Sequence, residues 1–340
     1  MQSDIQMSPA MPPRRVVKWL PMVVWIGVLT LLAMAPVILS PSLEFLAETA
    51  VVFALFAIAT NFLVGFSGLL SFGQAVFFGF GAYVAALFWT HGMSFWLGFV
   101  LAPVMAAAVA GLVAIVSLRT SRLYFALLTL GFSQLAYELA NAMYNFTGGE
   151  TGIPGIHIPN AISGIVSNWE FILVIAVVAS IALYGVRRSS FGLALQAIRE
   201  NPTRARSVGI HVYWHHVLAY IIAGLVCGLA GVLYVVYQQQ VDPVLLNWST
   251  SGEPVLMAVL GGMGLYLGPA LGAVIYVFLE QWVGALTPQW PLLVGFVVLV
   301  LVVVYPRGFG GGVVEIVERI RRRRVKKAHQ DNVHAQRRVQ

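Results

Sequence analysis

Residues that can form hydrogen bonds interrupt this apolar sequence at a few places, the first being GFSGLLSFGQ at 65–74. Three glycines, two serines and a glutamine stand there between two apolar runs. A helix broken at membrane depth has backbone groups that must face a water-filled path or be buried in protein. One interpretation is therefore an interrupted helix beside a solute path. The other is a cytoplasmic turn whose glycines allow close helix packing, as Gly-x-x-x-Gly spacings such as Gly224/Gly228 do.

Two further stretches have the same polar character. LGGMGLYLGPALG at 260–272 is a second glycine-rich junction. Gln134, Glu138 and Asn141 recur at spacings of four and three, so they share one face of a helix. Such a stripe faces the bundle interior or a cavity, or reaches water near the external end. The candidate residues for a path or gate are Gly65, Gly68, Ser71, Gly73, Gln74, Gln134, Glu138, Asn141, Gly261, Gly262 and Gly264.

The sequence lacks the residue patterns of an enzyme. His211, His215 and His216 follow a basic stretch beside Tyr213 and Trp214, which is typical of an interfacial belt rather than a metal site. None of the three lysines follows a phosphate-binding glycine loop. We therefore expect no catalytic residue, no metal site and no cofactor in this chain. Any ATP and magnesium would be bound by other subunits.

The composition of the chain predicts the elements that position these residues. Hydrophobic residues make up 59% of the 340 positions and charged residues 10%, whereas a soluble domain carries roughly 25% charged residues. Apolar runs of about 20 residues are the length that membrane helices need, and barrel strands would be about half as long and alternating. The sequence therefore predicts an all-α, polytopic transmembrane helical bundle.

Basic residues set the predicted topology. They cluster at 14–18, at 119–122, at 187–206 and from 307 onward, and the positive-inside rule places these clusters in the cytoplasm. We expect about ten spans, or eight if short runs form re-entrant hairpins, with both termini cytoplasmic. The apolar runs are 19–39, 44–64, 72–90, 95–118, 123–143, 168–186, 217–238, 253–264, 268–284 and 290–306.

The longest predicted cytoplasmic segment between spans is 187–216. Its apolar spacing predicts a short helix before Asn201-Pro202. Asn201 is then a good N-cap for a second helix that stops at Gly209. Two short helices indicate docking to a cytoplasmic partner, although the arginines would also hold a plain hairpin at anionic lipid.

Several stretches, taken together and in order, resemble the LivM-type permeases of branched-chain amino acid ABC importers. The resemblance covers about 45–310. The stretches are GFSGLLSFGQAVFFGFGAY, LYFALLTLGFSQL, TGG…GIPGI, FGLALQAIRENPTRARSVGI, SGEPVLMAVLGGMGLYLGPALGA and YPRGFGG.

This resemblance implies a permease subunit in a prokaryotic cytoplasmic (inner) membrane, crossing it several times. It implies a second related permease subunit, two cytoplasmic ABC ATPase subunits and an extracytoplasmic solute-binding protein. The basic run after Arg307 directly follows a span, so we expect it to bind membrane lipid and no nucleic acid. The basic clusters and apolar runs divide the chain into a cytoplasmic segment 1–18, a transmembrane permease domain 19–306 and a basic cytoplasmic tail 307–340, and the resemblance implies that 187–216 is a coupling loop. The residues it implies for coupling to the ATPase are Ala197, Arg199, Glu200, Asn201, Ala205 and Gly209, although Pro202 and Arg206 depart from the family pattern.

Three alternatives remain open from the sequence. Permeases for urea and short-chain amides look alike at this level. An ion-coupled carrier or channel that works without an ATPase would need an intramembrane carboxylate, for which Glu138 and Glu280 are the candidates. A polytopic membrane enzyme would need a nucleophile or metal cluster that the sequence does not show.

Overall fold

The computed structural model describes residues 40–160, 162–287 and 289–304, and within them it is all-helical. The segment 1–18, the apolar run 19–39 and the tail 307–340 lie outside the described residues. The helices are α1 Pro41–Asn61, α2 Gln74–Thr90, α3 Phe95–Ser117, α4 Arg122–Ala142, α5 Tyr144–Thr147, α6 Ile165–Arg188, α7 Ser190–Glu200, α8 Pro202–Ser207, α9 Val212–Gln238, α10 Trp248–Gly261, α11 Gly268–Leu286 and α12 Trp290–Val304.

Each apolar run predicted after residue 40 coincides with a helix. In the described ranges, six helical segments are long and apolar enough to cross a membrane, and Gln74–Thr90 and Pro291–Val300 are shorter apolar helices. The six are Ser42–Ser67, Phe95–Ser117, Leu123–Ala142, Ile165–Arg188, Val212–Gln238 and Gly268–Leu286. The all-helical membrane bundle is thereby confirmed, with α10 too short to be one of these spans.

Helix α9 lies at the centre of the bundle, packed against α1, α2 and α3. Glycines make this close approach possible, because a Cβ on Gly224 or Gly228 would lie 2.3 or 2.4 Å from the Cβ of Ala110 or Ala106 on α3. The Gly-x-x-x-Gly spacing in α9 therefore serves helix packing, as the sequence indicated.

The loop between α5 and α6 is tied to the chain that follows α9. Ile153 and Val241 exchange backbone hydrogen bonds of 2.8 and 3.1 Å, and Ile156 N donates to Gln239 O at 2.9 Å. After this contact the chain turns into a short 3-10 helix, Pro243–Leu246, which packs against α2 and α4. Helix α10 therefore begins beside α2 and α4, with Trp248 and Ser249 still exposed.

Candidate functional site

The glycine-rich stretch 65–74 is a helix break buried in the bundle. Helix α1 continues into a π-helical turn, Phe62–Ser67, which ends at Gly68 with φ 73°. The chain then runs without helical structure until α2 begins at Gln74. Ser71, Gly73 and Gln74 are all buried. A backbone without helical hydrogen bonds needs other partners when it is buried.

Side chains from two neighbouring helices supply those partners. The Ser71 hydroxyl is 2.6 Å from the Tyr220 hydroxyl of α9, and Gly73 N donates to Ser71 Oγ at 3.2 Å. On the side of α4, Phe72 N donates to Thr129 Oγ1 at 3.1 Å. The N–H groups of Phe72 and Gly73 thus meet hydroxyls instead of lipid.

A third helix joins the same network. Ser251 Oγ, near the start of α10, accepts a hydrogen bond of 2.9 Å from Ala75 N. Ser133 Oγ donates to Phe72 O at 3.0 Å and lies 3.1 Å from Ser251 Oγ. We call this network the polar seam; it comprises Ser71, Phe72, Gly73, Thr129, Ser133, Tyr220 and Ser251.

On α4 and α9 the residues of the polar seam lie well inside the helices rather than at their ends. Thr129 and Ser133 are seven and eleven residues beyond Arg122, the first residue of α4, or about 10 and 16 Å along the helix axis. Tyr220 is eight residues beyond Val212, the first residue of α9, or about 12 Å along it. Of the two interpretations of 65–74, the geometry therefore favours an interrupted helix buried in protein over a surface turn.

Gln74, the first residue of α2, is fully buried beside the break. Its Oε1 accepts a long hydrogen bond of 3.6 Å from the thiol of Cys227. Among the described residues its Nε2 has no hydrogen-bond partner. A buried donor without an acceptor costs about 1–3 kcal/mol. A rearrangement that gives Gln74 Nε2 an acceptor would therefore be stabilised by recovering this cost.

The second glycine-rich junction packs directly against the first. Asn61 Nδ2 donates to Leu265 O at 3.2 Å. A Cβ on Gly65 would lie 2.7 Å from Met263 O, so only glycine allows this approach. The structure therefore brings 65–74 and 260–272, which are nearly 200 residues apart in sequence, into one contact.

The glycines of the second junction divide by what surrounds them. A Cβ on Gly261 would lie 1.7 Å from Gly268 O, which makes Gly261 a contact between α10 and α11. Gly262 has φ 100° and ends α10. No atom lies within 4 Å of a Cβ built on Gly264. Packing therefore requires glycine at position 261, and backbone conformation favours it at position 262.

The polar stripe on α4 lies beside the polar seam but outside it. Gln134 Nε2 donates to Glu138 Oε1 at 2.8 Å, which confirms that the two share a face. Glu138 is exposed, whereas Gln134 and Asn141 are half-buried. The interior position belongs instead to Thr129 and Ser133, which the sequence-based list missed. Their spacing of four residues, matching that of Gln134 and Glu138, was the available signal.

The coupling segment 187–216 has the two short helices predicted for it, α7 and α8. Asn201 Oδ1 accepts from Arg204 N at 3.0 Å and so caps α8, as predicted. Ala205 is buried with Ile198 and Val212. Ala197, Glu200 and Gly209 are exposed, and Gly209 has φ 88°.

Arg199 points back toward the bundle. Its guanidinium Nη1 donates a hydrogen bond to the backbone carbonyl of Gly65 in the π-helical turn. The coupling segment is therefore connected to the helix break through a side chain as well as through the chain itself.

The described part of the chain shows no group of three or more His, Cys, Asp or Glu side chains arranged to hold a metal ion. His215 stacks on Phe191 with ring centroids 5.6 Å apart, and its Nδ1 lies 2.9 Å from His211 O. His215 is therefore a packing residue at the start of α9.

We expect Tyr220→Phe to destabilise the chain measurably. It removes the hydroxyl that pairs with the buried Ser71 hydroxyl, which keeps only its bond from Gly73 N, and the lost hydrogen bond costs about 1 kcal/mol. Thermal unfolding of the purified chain in detergent measures the effect. In a double-mutant cycle, Ser71→Ala combined with Tyr220→Phe should cost less than the sum of the single changes. Tyr124→Phe, at an exposed tyrosine of α4, is the control; additive effects would contradict the pairing.

Comparison with known proteins places the chain in a family. A family model described as "Branched-chain amino acid transport system / permease component" matches residues 42–303. The high-affinity branched-chain amino acid transport system permease protein LivM of Escherichia coli is 26% identical over 311 residues, covering 83% of this chain and 73% of the relative.

Two other relatives cover different shares of the chain. LivM of Salmonella typhimurium is 26% identical over 291 residues, covering 77% of this chain and 68% of the relative. The fructose import permease protein FrcC of Rhizobium meliloti is 26% identical over 142 residues, covering 39% of each chain. No solved structure matches the chain. Because the family model matches residues 42–303, which is more than half of the chain, the chain belongs to the family of branched-chain amino acid transport system permease components.

Proposed function

We propose that this chain is the membrane-spanning permease subunit of an ABC importer that moves branched-chain or related amino acids across a prokaryotic inner membrane. In this proposal it works with a second related permease subunit, two cytoplasmic ATPase subunits that bind ATP and magnesium, and an extracytoplasmic solute-binding protein. Family membership supports the transport role. The observation that carries the mechanism is the helix break at 68–73, whose residues other than Leu70 are buried or half-buried in the bundle and which is connected to the coupling segment through Arg199.

The proposed mechanism is alternating access between two arrangements of the helices. In this arrangement the hydroxyls of the polar seam join α4, α9 and α10 to the helix break and, through Ala75 N, to α2, by hydrogen bonds with one another and with backbone N–H groups. Such bonds are each worth only about 1 kcal/mol, so the seam is suited to opening and closing. Closure of the ATPase subunits against α7 and α8 would supply the work.

Uptake by reconstituted vesicles tests this function. We expect leucine uptake only when this chain is combined with its partner subunits, solute-binding protein and ATP. Uptake by the lone chain, driven by a proton gradient without ATP, would establish the ion-coupled alternative. Uptake of urea or acetamide in preference to leucine by the full complex would establish the amide-transporter alternative.

The coupling segment carries a separate prediction. Gly209→Trp should leave the chain in the membrane but lower the amount of ATPase that purifies with it, because Gly209 has φ 88° at the exposed end of α8. A non-glycine residue in that conformation costs about 1–2 kcal/mol, and an indole adds bulk where the partner would dock. Quantifying the ATPase that purifies with the tagged chain measures the loss.

Gly209→Ala is the matched control for this substitution. It introduces the same backbone strain without the bulk, since no atom lies within 4 Å of the added Cβ. We expect it to retain more ATPase than Gly209→Trp. Equal ATPase recovery and equal transport from Gly209→Trp and the wild type would count against docking at this segment.

A further inference from the structure

Two arginines from the coupling segment contact the π-helical turn of α1 on adjacent residues. Arg199, near the C-terminal end of α7, donates to the carbonyl of Gly65. Arg187, near the C-terminal end of α6, places its guanidinium carbon 4.0 Å from the centre of the Phe66 ring. We call Arg187 and Arg199 the arginine pair.

The π-helical turn is a suitable acceptor for these cations. The last carbonyls of a helix have no amide donors from a following turn and carry the negative end of the helix dipole. Here the helix ends at Gly68, whose N–H turns back to Leu63 O, and Gly65 lies within the last turn. π-Helical turns are also rare and are found frequently at functional sites.

The fit of Arg199 depends on Gly68. A Cβ on Gly68 would lie 2.9 Å from Cγ of Arg199 and 3.5 Å from its Cβ. The aliphatic part of Arg199 therefore packs against the glycine that ends the turn, while its guanidinium bonds to Gly65. Both the polar and the apolar parts of the side chain are engaged with the start of the helix break.

The arginine pair also reaches the second glycine-rich junction. The guanidinium carbon of Arg187 is 5.8 Å from the centre of the Tyr266 ring, and the Tyr266 hydroxyl donates to Ser180 O of α6. The two junctions are joined to each other by the hydrogen bond from Asn61 Nδ2 to Leu265 O. A displacement of the arginine pair thus acts on both junctions.

Helix α7 packs firmly enough against the bundle to transmit movement to its neighbours. Leu195 is fully buried and Ile198 almost fully buried on its inner face, and α7 contacts α6, α9 and the π-helical turn. Ala197 and Glu200 are exposed and remain available for a partner.

We propose that Arg199, assisted by Arg187, is a positioning residue that transmits movement of the coupling segment to the two helix breaks. This proposal rests on the proposed function. It gives Arg199 a role inside this chain, whereas the family resemblance implies a role in coupling to the ATPase. Ala197, Glu200 and Asn201 keep the outward role. Loss of Arg199 then separates ATP hydrolysis from transport without releasing the ATPase.

The test uses the complete transporter in lipid vesicles, with Arg199→Gln and, as a second variant of similar length, Arg199→Met. Arg204→Gln is the matched control, because Arg204 is an exposed arginine of the same segment, as Arg199 is, but Arg199 is the one that bonds to Gly65. All variants carry Leu70→Cys as a reporter. Leu70 is 43% exposed in the break, and the native Cys227 is fully buried. Three quantities are measured: ATPase bound, solute moved per ATP hydrolysed, and the rate of thiol labelling with and without ATP.

We expect both Arg199 variants to retain the ATPase and its hydrolysis, while solute moved per ATP falls by about tenfold or more, within the range of typical coupling effects. Thiol labelling should change with ATP in the wild type and in Arg204→Gln but not in the Arg199 variants. Arg199→Lys, which keeps a donor and the charge, should recover part of the transport. A structural role alone would lower protein amount and transport together.

Three results would overturn the proposal. The first is wild-type transport per ATP by Arg199→Gln and Arg199→Met. The second is loss of the ATPase from these variants, which would make Arg199 a contact with the partner. The third is a rate of thiol labelling that still changes with ATP in the Arg199 variants. The failure of the proposed function itself is seen separately, as absence of ATP-dependent uptake by the unmodified complex.

Discussion

Replacing Gly231 with alanine is expected to prevent the chain from forming its native helix bundle. A Cβ at this position would lie 1.9 Å from the carbonyl oxygen of Phe78 in α2 and 3.1 Å from the amide nitrogen of Ala82. Both are backbone atoms, so no rotation of a side chain relieves the clash. Relief requires α2 and α9 to separate, and forced overpacking of this kind costs about 1–3 kcal/mol or more.

The effect should be large because α2 and α9 touch through backbone along their length. A Cβ on Gly81 would lie 2.4 Å from Gly228 O, so a second contact would be lost when the helices separate. We expect Gly231→Ala to yield little monodisperse protein in mild detergent, and any purified material to unfold at a lower temperature than the wild type.

Gly185→Ala is the control for this experiment. Gly185 is an exposed glycine in the last turn of α6, with no atom within 4 Å of a built Cβ. Alanine there should be neutral or should stabilise the helix by up to about 1 kcal/mol, because glycine is the poorer helix former. A Gly231→Ala protein with wild-type yield and unfolding temperature would refute the close packing of α2 and α9.

Replacing Gly73 with leucine is expected to abolish transport while leaving the chain inserted in the membrane. A Cβ on Gly73 would lie 3.2 Å from both the Cβ and the carbonyl oxygen of Thr129, and 3.3 Å from the Tyr220 hydroxyl. A larger side chain must push α4 and α9 away from the break. It thereby breaks the hydrogen bonds from Phe72 N to Thr129 and between Ser71 and Tyr220.

Insertion should survive this change because the apolar segments that enter the membrane are unaltered. Membrane fractionation and uptake by the reconstituted complex measure the two outcomes separately. Gly185→Leu, with the same added side chain at an open position, should transport as the wild type does. Normal uptake by Gly73→Leu would show that the polar seam has no part in transport, and loss of insertion would show that its role is structural.

Much of the architecture could be predicted from the sequence because it depends on local properties. Apolar length predicted where the helices lie, and Asn201-Pro202 predicted the start of α8 through a cap that acts over three residues. The predicted end of that helix near Gly209 is also local, since φ 88° at this position favours glycine. Helical periodicity likewise predicted that Gln134 and Glu138 share a face.

The partners of the helix break could not be predicted in this way. Gly65, Gly68, Ser71, Gly73 and Gln74 were recognised as unusual, but the groups that bond to the break come from α4, α9 and α10. Thr129 and Ser133 resemble ordinary helix residues, and Tyr220 and Ser251 lie roughly 150 to 180 positions away in the sequence. Periodicity indicates which face of a helix a residue occupies, but not which neighbour that face meets.

Composition and spacing by themselves determined that this chain is a helical membrane protein with two glycine-rich interruptions and a structured segment between spans, because hydrophobic length, capping and backbone freedom act within a few residues. Only the tertiary structure decided that the two interruptions touch, that small hydroxyls from distant helices enclose the first one, and that Arg199 points toward Gly65. These facts depend on how helices cross, and the crossings are set by close packing among many residues at once.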